Sequence, residues 1–238
     1  MDSVTPVSAA KTKKPFAIAS ITLILSAILV FAEMISPYVR GVLLDLPFEY
    51  IFDFATVVSY LFVILCIFCV AVATFFKKSN IFLIVSLFTL GFAYVCFSML
   101  DVSSVFDAWS SYDKASLILG YGPYIVGGLC TALGFAVLGI TAVIARKKPS
   151  GLWIISTVLF VVALLASAFA FGKSVIDNFE QLGWALEMIL DYGVGDTSEI
   201  VLDFFSRFAV PAYYLGSTLM HFVTSILMGL YLKKLAKQ

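Results

Sequence analysis

The chain has 238 residues, 62% of them hydrophobic and only 13% charged, with 15 basic side chains balancing 15 acidic ones. Soluble domains sit near about 45–50% apolar and about 25% charged, so one water-soluble core could not enclose this much apolar surface. Zero net charge, with no basic stripe and no RNA-binding motif, excludes nucleic acid as a partner.

A bilayer core of about 30 Å takes roughly 20 apolar residues at a rise of about 1.5 Å. Six runs meet that length, at about 16–37, 54–76, 81–100, 121–145, 151–171 and 209–232, and none has Lys or Arg in its interior. All six are predicted to be helices, because lipid-exposed strands would leave backbone groups unpaired. The chain thus reads as an all-α integral membrane protein, a single six-span domain over 1–238.

The first run follows Lys11, Lys13 and Lys14 and could be taken for a signal peptide. Its apolar stretch is longer than the roughly 7–15 residues of a cleaved core, so it reads as a retained anchor. Glu33 counts about 26 Å up this helix, which puts it near the outer boundary as a solvated interface carboxylate. Asp53 starts the second span at the same level. On this count no charged side chain reaches the midplane, which argues against a pump built on a buried carboxylate and against a voltage sensor.

The second span carries Cys66 and Cys69 as C-x-x-C, and the third and fourth carry Cys96 and Cys130. Their depths do not match and no second C-x-x-C exists, so they read as packing residues; no metal and no cofactor is expected. The fourth span presents Gly128, Ala132 and Ala136 at four-residue intervals, a small-residue stripe for close helix packing. Packing within the chain is its simplest use; a homo-oligomer face or another membrane subunit is the alternative.

Beyond the fifth span, the segment 173–208 reads as amphipathic helix. Apolar residues fall at 175, 176, 179, 182, 186, 189 and 190, and Asp196-Thr197-Ser198-Glu199 resembles a second helix start. Such helices commonly lie in the interface plane, though they could also cap an outward cavity. The sixth span holds His221, the one histidine, near its middle, with Thr218, Thr224 and Ser225 on nearby turns. A packed structural histidine is the plainer reading, and His221 is also the best ligand-site candidate, followed by Glu33, Asp53, Tyr213 and Tyr214.

Basic residues cluster at 11–14, 77–78, 146–148 and 233–237, leaving Arg40, Lys114, Lys173 and Arg207 on the opposite side, where every acid except Asp2 also lies. The positive-inside rule then places both termini in the cytoplasm, with the plasma membrane the expected location. The punctuation Lys-Lys-Pro-Phe, Lys-Lys-Ser-Asn and Lys-Lys-Pro-Ser precedes three apolar hairpins. The returning helices open alike, as Gly122-Pro123-Tyr124 and Val210-Pro211-Ala212-Tyr213-Tyr214. Three parallel hairpin repeats are expected, about an axis along the membrane normal.

No nucleophile elbow, P-loop or H-E-x-x-H motif occurs, so an enzyme is not expected. In outline the chain resembles the six-span substrate-capturing subunits of energy-coupling-factor vitamin transporters, an analogy of span number and size. Export permeases of the second ABC class need a cytoplasmic coupling helix, for which Lys77-Lys78-Ser79-Asn80 is too short, and the mitochondrial-carrier signature is absent. Two functions follow as expectations. One is a binding or transport component for an uncharged or amphipathic solute or lipid. The other is a non-transporting scaffold or accessory subunit.

Overall fold

The structure is a computed structural model that describes residues 13–43, 54–75, 81–110, 112–145, 150–192 and 197–235. These hold six long α-helices: α1 (Lys13–Leu43), α2 (Phe54–Phe75), α3 (Ile81–Ala108), α4 (Lys114–Ile144), α5 (Trp153–Tyr192) and α6 (Thr197–Leu235). All six are long and apolar enough to cross a membrane, and no strand occurs among the described residues. Asp53 lies outside them.

Each helix packs on its chain neighbours, and α1 packs on α6. The bundle therefore closes into a ring, with α4 also touching α6 across its middle. Burial is the reverse of a soluble protein's pattern. On α1 the outward face carries Ile18, Ile21, Leu25 and Ile28, all exposed, while Ser20, Thr22, Ser26 and Glu33 are buried. Lipid is as apolar as leucine, so large aliphatic side chains gain little by facing inward, whereas hydroxyls and amides must find partners inside.

Small residues set the closest approaches. A Cβ on Gly91 of α3 would come within 2.8 Å of the Ala132 carbonyl oxygen, and one on Gly128 within 2.1 Å of Ser98 Oγ. The Gly128–Ala132–Ala136 stripe is thus filled by α3 within the chain. Gly134 lies against Phe160, and Ser156 Oγ donates to the Gly134 carbonyl at 2.8 Å. The four cysteines are free thiols in α2, α3 and α4.

The helices are longer than the apolar runs alone suggest. α3 continues through Asp101 to Ala108, and α4 starts at Lys114, where Asp113 caps it by accepting from Ser116 N at 3.0 Å. The 173–208 segment differs most from expectation. It does not form separate helices lying in an interface plane. Its first part is the unbroken continuation of α5, and its second part runs without a break into the sixth span. α5 has 40 residues, about 60 Å of helix against a hydrocarbon core of about 30 Å. The two extensions pair through Phe179, whose ring lies 5.3 Å from Phe204 and 6.5 Å from Phe208, and through Arg207 donating to Gln181. Pro211 is accommodated inside α6 and does not end it.

Candidate functional site

The bundle has a basic end, where Lys13 and Lys233 lie, and an acidic end, where Asp101, Asp107, Asp113, Asp177 and Glu180 lie. Two polar clusters and one recess are stacked from the bundle centre toward the acidic end.

His221 occupies the centre and is 1% exposed. Four helices supply its surroundings. Tyr94 Oη of α3 lies 2.6 Å from Nε2, and Ser26 Oγ of α1 lies 3.2 Å from Nε2 and 3.4 Å from Nδ1. The ring packs edge-on against Phe135 of α4 at 5.0 Å and sits 6.3 Å from Phe160 of α5. With Tyr94 donating to Nε2 and Nδ1–H turned to Ser26, both ring nitrogens are used without placing a charge in the bundle. One turn nearer the basic end, Thr22 and Thr224 join α1 to α6 at 2.7 Å. His221 is therefore enclosed and hydrogen-bonded, as a packed histidine should be.

Glu33 is the surprise. Its side chain is 5% exposed, so it is not a solvated interface carboxylate. The apolar span of α1 covers Ala17–Val39, so Glu33 lies about 7 Å from its middle. The helix turns it inward, on the buried face it shares with Ser26 and Val30. Tyr60 Oη of α2 donates to Glu33 Oε1 at 3.1 Å, and Tyr60 packs edge-on against Phe97 at 4.7 Å. A small void of about 10 Å³ opens between Glu33, Tyr60, Tyr94, Phe97 and Ser217, near the lower limit for one water molecule. It brings the Glu33 cluster into contact with Tyr94, the residue that holds His221.

Tyr214 is 8% exposed and packs against Tyr124, with ring centroids 5.0 Å apart and the planes tilted by 35°. Its hydroxyl is buried without a hydrogen-bond partner among the described residues. Room for that hydroxyl comes from Gly127, where a Cβ would stand 2.0 Å from Tyr214 Oη. Tyr213, one position earlier, points about 100° away around the helix and is only half-buried.

Above these clusters a recess of about 340 Å³ opens at the acidic end, where α1, α4, α5 and α6 meet. Its lining includes Pro37, Gly120, Tyr124, Asp177, Asn178 and Arg207. Lys173 donates to Asp177, and Asn178 Nδ2 donates to Ser174 Oγ at 3.1 Å. The recess and Glu33 are one helical turn apart, since Ser36 and Pro37 line it.

Three helices carry a proline at this level: Pro37, Pro123 and Pro211. Proline has no N–H, so each helix loses the rung from that residue to the carbonyl four positions earlier. Those positions are Glu33, Leu119 and Arg207, and the last two line the recess.

Reasoning on sequence named His221, Glu33 and Tyr214 but missed Tyr60, Tyr94, Ser26, Ser217 and Asn178. A usable signal was present. Thr22, Ser26 and Glu33 share one face of α1, and Tyr214, Ser217, His221 and Thr224 share one face of α6. Among the described residues, no three His, Cys, Asp or Glu side chains come together as a metal-binding set.

No known protein family matches the chain, and neither a curated protein nor a solved structure matches it. The outline shared with vitamin-capturing subunits thus stays one of span number and size.

Proposed function

We propose that this membrane protein is a binding or transport component for a small, uncharged polar or amphipathic solute that enters from the acidic end. The observation that carries this reading is the recess of about 340 Å³, within the roughly 300–1,000 Å³ range of small-molecule sites. Its polar lining is set among apolar helices, and buried Asn178 can give and take hydrogen bonds with a neutral ligand. The Lys173–Asp177 pair satisfies its own charges, which favours a solute with hydrogen-bonding groups over an ion. The distribution of Lys and Arg supports placing the acidic end outside the cell.

The similar proline openings of α4 and α6 in the sequence are what supports an origin of the bundle in duplicated hairpins. The scaffold reading loses its main motive, because the small-residue stripe that would serve a partner is occupied by α3.

Gly120 offers the test. Gly120 lines the recess and a Cβ there meets nothing within 4 Å, so Gly120→Leu starts into open space and puts its side chain at the recess wall. Thermal unfolding in detergent, run against sugars, polyols, amides and neutral vitamins, is expected to show a stabilising solute. Gly120→Leu should abolish that stabilisation while melting at or above the wild-type temperature. The reading fails if no solute in the panel stabilises the protein, or if Gly120→Leu leaves the response intact.

A further inference from the structure

Glu33 does not line the solute recess, and its burial needs a reason. A glutamine there would accept the same hydrogen bond from Tyr60 without the cost of hiding an ionisable group. Charged side chains in the hydrocarbon zone are expensive and mark functional positions by default. The titratable groups facing Glu33 are the phenols of Tyr60 on α2, Tyr94 on α3, Tyr124 on α4 and Tyr214 on α6, together with the Asp101 carboxyl on α3. An ionised Glu33 would therefore face phenol dipoles and a second acid.

Access is one-sided. Toward the basic end the way is closed by His221 with Phe135 and Phe160, and then by fully buried Leu23, Ile67, Leu87, Leu138 and Leu232. Toward the acidic end the recess begins one turn away at Ser36 and Pro37. Pro37 also deletes the rung to the Glu33 carbonyl, so α1 can bend at this point with little loss of hydrogen bonding. The void beside Glu33 has room for about one water molecule.

We propose that Glu33 is a reversible proton-binding site that loads and unloads through the acidic-end recess. In the loaded state the carboxyl carries its proton. On unloading, the Oε–H bond breaks and the proton passes to water in the void or the recess. The carboxylate left behind keeps the hydrogen bond from Tyr60. Loading reverses the step, and no electron moves. Bending of α1 at Pro37 links the charge on Glu33 to the shape of the recess, which gives the proposed solute site a proton to couple to. The proposal shares the access route of that solute site, but its test needs no solute.

The test is labelling of the whole protein in detergent with dicyclohexylcarbodiimide, which attacks protonated carboxyl groups in apolar surroundings, followed by peptide mass spectrometry. An adduct is expected on Glu33, forming more slowly as pH rises. Above the titration point its rate should fall about tenfold per pH unit, following the protonated fraction. Asp101→Asn should retain the adduct, while Glu33→Gln should lose it. Infrared spectra of the unlabelled protein give a second readout that needs no reagent access. A protonated-carboxyl band should fade with rising pH in wild type and in Asp101→Asn, and be missing from Glu33→Gln. A Glu33 carboxyl band that is constant or absent at every accessible pH would overturn the proposal, whatever the labelling shows. Solute-induced stabilisation at fixed pH reports on the recess separately, so the solute reading and the proton reading can fail independently.

Discussion

Two buried polar clusters lie about two helical turns apart along α1, and they are built on different terms. Around His221 every polar atom has a partner, four helices contribute, and aromatic rings fill the remaining space. Around Glu33 one tyrosine supplies the hydrogen bond, a void stands open, and nearby Tyr214 has a buried hydroxyl with no partner among the described residues. A saturated cluster fixes one packing of the helices. An unsaturated one leaves room for something to bind or move. The difference favours packing as the use of the histidine, which sequence made the first site candidate, and leaves the glutamate as the centre of the proton-binding proposal.

The largest effect should come from His221→Ala. It deletes two hydrogen bonds and leaves a cavity among Tyr94, Phe135 and Phe160, at a cost of about 2–5 kcal/mol. Denaturant titration in mixed micelles would measure it. A cost near zero, with solute binding lost, would exchange the roles of the two clusters.

Next comes Gly127→Ala. The new methyl would collide with the Tyr214 hydroxyl and force that ring away from Tyr124, costing about 1–3 kcal/mol. Adding Tyr214→Phe removes the colliding oxygen and leaves the ring carbon 3.2 Å from the Cβ position, a tight contact that a ring shift of a few tenths of an ångström relieves. The double variant should therefore unfold close to wild type. Failure of that rescue would mean that Gly127 serves the backbone of α4 and not the tyrosine.

Glu33→Gln should change stability by no more than about 1 kcal/mol, because Tyr60 keeps an acceptor. A loss as large as that of His221→Ala would make Glu33 part of the same structural framework and erase the contrast between the clusters.

What sequence could and could not show follows from what each inference needed. The six spans and the lipid-facing aliphatic residues were legible because length and apolarity are local properties. The helical character of 173–208 was legible from its apolar spacing, but not its continuity with α5 and α6. A charged turn such as Lys173–Asp177 ends an apolar run without ending a helix, and its i,i+4 ion pair supports the next turn. The burial of Glu33 was not legible because depth along a helix does not say which side of it faces the other helices. Tyr60 and Tyr94 were invisible as site residues because each is one of many aromatics on an apolar helix. Only the closure of the ring decides which of them turns inward.

The smallest effect, and the sharpest, is that of Tyr214→Phe alone. Removing a buried hydroxyl usually costs stability through its lost hydrogen bond, about 0.5–1.5 kcal/mol. Here there is no such bond to lose among the described residues, and the hydroxyl's desolvation is already uncompensated. Its removal should be neutral or stabilise the protein by up to about 1 kcal/mol. Phenylalanine keeps the ring contact with Tyr124, so the outcome isolates the oxygen. A clear loss of stability would show that the hydroxyl is satisfied in the membrane, with the space beside Gly127 the place to look for a bound water. That would make the Glu33 level as saturated as the His221 level. A gain would mean that the protein carries a destabilising group behind Tyr124, the ring that separates it from the recess.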